Sequence, residues 1–424
     1  MKSAFWIIPA WLAIIASTLP VIADIPPHQI YSNPRLPTAD ELQRLNLHLS
    51  WQSGIPMDGR KDGFLQIHFE DKDLFALTRS GLITCLDAET GIVRWRQRVG
   101  KPYTLLPYFS VNSRSIYVIS NATMFSLDRE TGKERWERPL PAGISAPPAV
   151  DEEMIFVPAA TNRLYAFYLP FVQGTQDTFS LGEVKRESLI YSRRGDDEKP
   201  TLRPVWVDDT NIRLKFRPLQ TNNEILAVSP DGIGLGLTKI PKDGYAYNEI
   251  YKFDFASKIN VQPTGFGDYG YIGADDANLY AINLINGKLN WRHTAGTKIS
   301  RPPIATEKDI YLSSESEGLT RLDRATGEVK WKVGRPNGWF DSNPVADRFL
   351  AANNRYVYAT DHSGRLMVLD RNRGSGLSFL HSRDFYFPVV NDVTDRLYLS
   401  ANDGLLVCLH DRDQAQPVRH RKIL

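Results

Sequence analysis

The run from Leu322 to Trp331, Leu-Asp-Arg-Ala-Thr-Gly-Glu-Val-Lys-Trp, constrains this chain more than any other stretch, because its spacing recurs. Asp323 can accept hydrogen bonds from the backbone at a turn entry, Gly327 supplies a positive φ that a side chain opposes, and Trp331 falls on the strand leaving the turn. The same intervals separate Asp87, Gly91 and Trp95; Asp128, Gly132 and Trp136; and, with Asn for Asp, Asn283, Gly287 and Trp291. Strand, turn and strand at a fixed spacing define a repeat architecture, in which each unit buries its apolar face only against its neighbours.

Counting outgoing strands gives the number of units. The markers Trp51, Trp95, Trp136, Trp206, Tyr251, Trp291, Trp331 and Phe379 lie 44, 41, 70, 45, 40, 40 and 48 residues apart. Each reads as the last strand of a unit of about four short antiparallel strands. Leu45 to Trp51 reads as an outgoing strand with no incoming partner, whereas Val389 to His410 supplies strands with no Trp strand after them. Joining the two ends into one shared blade leaves no exposed sheet edge at a seam. The expected fold is therefore all-β, an eight-bladed propeller over 45–411, closed by pairing the N-terminal strand with the C-terminal blade. The long step places an insertion at 170–200 in blade three, too polar to bury much.

The chain ends read differently. Met1-Lys2-Ser3 precedes an apolar run from Ala4 to Ala16, so residues 1–23 read as a signal peptide cut near Ala23, followed by an extended lead-in at 24–44. No Cys stands near that cut to carry a lipid. The mature chain is expected to be a monomer, periplasmic or secreted, with no transmembrane anchor. Cys85 and Cys408 occupy equivalent repeat positions, too far apart for a disulfide, and read as free and buried. Residues 412–424 form a basic tail that reads as a solvated terminus. A net charge of +2 gives no electrostatic case for nucleic acid.

Leu-Asp-x-x-Thr-Gly-x-x-x-Trp, as it stands at Leu86 to Trp95, Leu127 to Trp136 and Leu322 to Trp331, resembles the repeat of pyrroloquinoline-quinone (PQQ) type propellers. The resemblance implies that the markers, Trp51 through Phe379, dock between blades near the repeat glycine. Quinoprotein dehydrogenases of that superfamily carry a vicinal Cys-Cys pair, which this chain lacks, so no cofactor is expected. The BamB-type branch, similar in length and blade number, implies a noncatalytic scaffold of outer-membrane protein assembly.

The residues themselves show no catalytic pattern. The eight histidines form no His-x-x-x-His motif, Gly-x-Ser-x-Gly is absent, and the run Gly232 to Gly236 lacks the helix that a phosphate loop needs. Asp275-Asp276-Ala277-Asn278 and Asp361-His362-Ser363-Gly364 read as turns, not Ca²⁺ loops. The candidate binding residues are aromatics the repeat does not require: Tyr103, Trp339, Phe340, Phe385 and Tyr386, with Arg335, as a rim on the connections between blades. The expectation is an exported, noncatalytic propeller that binds a protein partner. The alternatives are a PQQ-dependent oxidoreductase and a carbohydrate or cell-wall binding propeller.

Overall fold

The computed structural model describes residues 34–57, 61–102, 105–169, 172–173, 176–177, 204–240, 249–334, 345–382, 384–385, 387 and 389–420. Seven sheets of four antiparallel strands follow one another along the chain, each pairing its strands in sequence order. Blade one, for example, comprises Phe64–Glu70, Asp73–Thr78, Leu82–Asp87 and Val93–Arg98. The second and third strands are buried on both faces, because each sheet is sandwiched between two others; Asp73–Thr78 and Ser115–Ser120 are buried throughout. First strands of adjacent blades are linked by side chains, as where Ser110 Oγ donates to the Pro148 carbonyl and Thr264 Oγ1 to that of Pro303.

The eighth blade is built from both ends of the chain. Leu47–Gly54 pairs with Leu405–Asp411, which pairs with Leu397–Ser400, and a bridge between Val389 and Tyr398 marks the innermost position. Trp51 lies opposite Cys408 and Gly54 opposite Leu405. The ring is closed, and the protein is an eight-bladed β-propeller.

The marker residues face the following blade. The indole N–H of Trp51 donates to the Ala88 carbonyl at 3.0 Å, that of Trp95 to Arg129 at 2.9 Å, that of Trp206 to Lys239 at 2.7 Å, and those of Trp291 and Trp331 to Arg324 and Arg371. Tyr251 uses its hydroxyl in the same way, donating to Leu284 at 2.6 Å. A Cβ on Gly327, whose φ is +75°, would lie 2.5 Å from the Trp291 ring, so this turn needs glycine for both its conformation and its space. Trp136 packs against Tyr117 in the core between blades two and three.

Phe379 departs from the pattern. It is 47% exposed, with Arg365 over its ring. Its neighbour is blade eight, where the third and fourth strands come from opposite ends of the chain and no hairpin turn joins them. Phe379 pairs with Met367, whereas Ser378 takes the register that Trp331 holds in blade six, so Phe379 lies one residue late and on the opposite face of its strand. Leu42 and Leu45 pack against blades seven and eight; Leu42 lies in, and Leu45 caps, a helical turn, Ala39–Arg44, inside the supposedly extended lead-in. Thr38 caps it and Glu41 returns the bond, a reciprocal cap on one short helix.

The C-terminal residues also depart from expectation. His420 is 6% exposed and bonded to the Ala352 carbonyl, and Val418 and Asp395 exchange backbone and carboxylate bonds. The tail is thus anchored on blades seven and eight through residue 420, while Arg412, Asp413, Ala415, Gln416 and Arg419 stay exposed. At the insertion, Val172–Gln173 pairs with Gln176–Asp177, and most of the remainder lies outside the described residues.

Candidate functional site

Antiparallel order divides the two faces of the ring. Connections from one blade's outer strand to the next blade's inner strand share a face with the starts of inner strands and with second-to-third strand turns. The Asp-to-Gly turns lie on the other face.

On the connection face, Arg301 stands just before the inner strand Ile304–Ala305 of blade six, and Asp347 and Arg348 begin the inner strand Ala346–Ala352 of blade seven. The pairing of that strand with Tyr356–Asp361 slips between Ala346 and Arg348 and again between Phe349 and Ala351. Such irregularities re-aim side chains out of the ladder. Arg301 Nη2 meets Asp347 Oδ2 at 3.2 Å. His362, on the adjacent turn and 82% exposed, reaches the same oxygen at 4.0 Å. Arg348 pairs through its backbone with Thr360, but its side chain has no hydrogen bond or ion pair among the described residues. Burial and then repulsion from Arg301 lower its pKa, with Asp347 offsetting part of the effect. Arg301 Nε and Asp347 Oδ1 are buried without partners. Arg217, at the same place in blade four, donates to the Phe109 carbonyl of blade two at 3.1 Å, and burial lowers its pKa.

Of the rim residues expected from the sequence, Tyr103, Arg335, Trp339, Phe340 and Tyr386 lie outside the described residues. Phe385 is 4% exposed and packs with Leu380 and Leu397 between blades seven and eight. It is a core residue and cannot serve as a rim anchor. Sequence reasoning missed Arg301 and Arg348; Arg301 stood before a Pro-Pro pair at a strand start, but nothing local marked Arg348 as unpaired.

A second surface runs around the outside of the ring. The outer strands expose apolar side chains: Val205 and Val207 in blade three, Ile250 in blade four, Leu289 in blade five, Val329 in blade six and Leu377 in blade seven. An outer strand is hydrogen-bonded on one side only, so it presents unpaired backbone groups beside these side chains.

The acidic runs and the two cysteines have structural roles. Asp276 Oδ1 accepts the Asn278 N–H, and Asp361 Oδ1 accepts those of Ser363 and Arg365, so both acidic runs are turns. Cys85 and Cys408 are free thiols buried in separate inter-blade cores, and burial pushes the Cys85 thiol up to about 12. Among the described residues no three His, Cys, Asp or Glu side chains gather to hold a metal, and no helix is long and apolar enough to cross a membrane.

A family model described as outer membrane protein assembly factor BamB matches residues 48–112, 106–169 and 246–422, well over half of the chain. The chain belongs to that family. Among its relatives, outer membrane protein assembly factor BamB of Moranella endobia is 21% identical over 63% of this chain and 66% of its own length. The Kangiella koreensis protein of that name is 26% identical over 32% of this chain and 33% of its own. The matched region thus spans less than two thirds of each relative. The crystal structure of BamB from Moraxella catarrhalis superposes with a TM-score of 0.59 at 15% identity, covering 86% of this chain and 97% of that one. A computationally designed protein, Ika8, gives 0.55 at 13% identity, covering 84% and 98%. At these identities the superpositions speak for the fold, and the family rests on the sequence model.

Proposed function

We propose that this chain is a noncatalytic scaffold acting in the periplasm, where it holds another protein during assembly of outer-membrane proteins. Membership of the family, with two of the sequence relatives bearing the assembly-factor name, carries the reading. The fold supplies a mechanism suited to it. Eight sheets wedged together by aromatic side chains keep their outer edges fixed, so a partner's extended segment can add as a fifth strand without first ordering the scaffold. Main-chain bonds then supply affinity, and apolar side chains such as Ile250 and Leu289 meet alternate residues of the added strand.

Photo-crosslinkers placed on the outer strands at Val207, Ile250 and Leu289, in cells of the native host, test this. The expected product is a crosslink to a component of the outer-membrane assembly machinery. Absence of any such adduct from all three positions, together with dye reduction when PQQ and Ca²⁺ are added, would overturn the scaffold in favour of an oxidoreductase.

A further inference from the structure

Arg301 and Asp347 meet between blades six and seven, and Arg348, next to Asp347 in the irregular inner strand, lies near enough for the two guanidinium charges to repel. Arg301 spends one arm on Asp347 and leaves its buried Nε without a partner; Asp347 likewise has a buried oxygen unused. The Arg348 guanidinium has no hydrogen bond or ion pair among the described residues, although it is partly buried and feels the charge of Arg301. The notch therefore carries one positive charge in excess, and its unused donors are guanidinium N–H groups. Leaving such a charge partly desolvated and unpaired is costly in a folded protein unless something else supplies the counter-charge. His362, 82% exposed, marks the solvent side, so the notch is reachable from the connection face.

We propose that this notch, at Arg301 and Arg348, receives a single carboxylate from an acidic segment of a partner protein, an inference that rests on the scaffold reading above. The charge balance selects the class of group: one carboxylate neutralises the excess, whereas a phosphate dianion would overshoot it and be repelled by Asp347. A planar carboxylate also fits the fork of a guanidinium in two parallel hydrogen bonds. The contact fixes where along the partner's chain the scaffold engages, and the outer strands supply the rest of the affinity.

The test uses the full chain and two fluorescein-labelled hexapeptides, one with a central Asp-Glu pair and one with Asn-Gln in its place. Anisotropy should show the acidic peptide binding at least about tenfold tighter, with Arg348→Gln abolishing the difference. Acetate should displace the acidic peptide better than phosphate does at equal concentration. Without peptide, Arg348→Gln should melt no lower than the parent, because it removes an unpaired charge. Equal binding of both peptides, a preference retained in Arg348→Gln, stronger displacement by phosphate, or a lowered melting temperature would each overturn the proposal. If these fail while the outer-strand crosslinks persist, the scaffold stands and only the carboxylate notch falls.

Discussion

Asn46 and Asp411, 365 residues apart in the chain, are joined by a 2.8 Å hydrogen bond from the Asn46 amide to a carboxylate oxygen. The same carboxylate, 1% exposed, accepts Asn353 Nδ2 at 2.8 Å, Arg355 Nη2 at 3.2 Å and the Asp413 N–H at 3.0 Å. One buried anion thus ties the N-terminal segment, the last strand and blade seven together where the ring closes. Asp411→Ala would leave buried donors of two blades unsatisfied, and we expect a loss on the order of 3 kcal/mol. Urea unfolding of the two proteins measures it; a loss within experimental error would show that closure does not depend on this carboxylate.

The Trp291–Gly327 contact is a second test, because ring and turn are specified separately in the sequence. Gly327→Ala must accommodate a methyl 2.5 Å from the indole at a φ of +75°, and should cost about 2–4 kcal/mol. Trp291→Ala loses the packed ring and its bond to the Arg324 carbonyl, at about 3–5 kcal/mol. The double variant should cost clearly less than the sum, since removing the ring relieves the clash. Strict additivity in denaturant titrations would mean that the turn tolerates the methyl by moving away.

Much of this architecture was legible because it is local. The carboxylate of Asp87 takes the Thr90 N–H at 3.0 Å, and Asp128 takes that of Thr131 at 2.8 Å, bonds that a four-residue pattern encodes by itself. Closure was legible from two incomplete ends. Phe379 failed for a local reason: it comes one residue later after its turn than the other markers do, and in a strand that one-residue slip turns it to the opposite face, so Ser378 holds the docking register. The other failures were features fixed by distant partners. His420 sits in a run of basic residues whose composition suggests solvent, yet carbonyls contributed by Ala352 and Val393 hold it. The Thr38 and Glu41 cap was visible as a motif, but the Pro-rich composition around it pointed to extended chain. The candidate site was not legible in this way. Arg301 and Arg348 matter through two adjacent inner strands, and pairing between blades is a property of the closed ring.

Asp309 predicts how the fold responds to strong acid. It is fully buried at the edge of blade six, where Arg321 and Arg371 reach one of its oxygens and Lys330 the other. Burial by itself would raise its pKa, but these donors outweigh burial and bring the carboxyl from 3.8 down to about 2. Because the folded value is the lower one, its stabilisation is present above pH 3.8 and is lost as pH falls through 2. Between those limits the parent should lose about 2 kcal/mol more than Asp309→Asn. Unfolding free energies at several pH values compare them; parallel curves would refute the assignment.

The docked C-terminus should loosen under mild acid. Burial lowers the pKa of His420 below 6.5, opposed by its bond to the Ala352 carbonyl, so the folded state favours the neutral ring. Its contribution is complete above the unfolded value of 6.5 and is lost as pH falls through the lower folded value. Asp395 acts in the opposite sense: burial raises its carboxyl from 3.8 to about 6, so its ionisation weakens the docked state as pH rises across that interval. Asp395→Asn removes the opposing group while keeping an oxygen for the Val418 N–H. In that background, hydrogen exchange across 412–420, corrected for intrinsic rates, should be faster at about pH 5.5 than at about pH 7.5, and His420→Gln should abolish the difference. Protection independent of pH in the Asp395→Asn background would mean that the buried imidazole does not control how the tail is held.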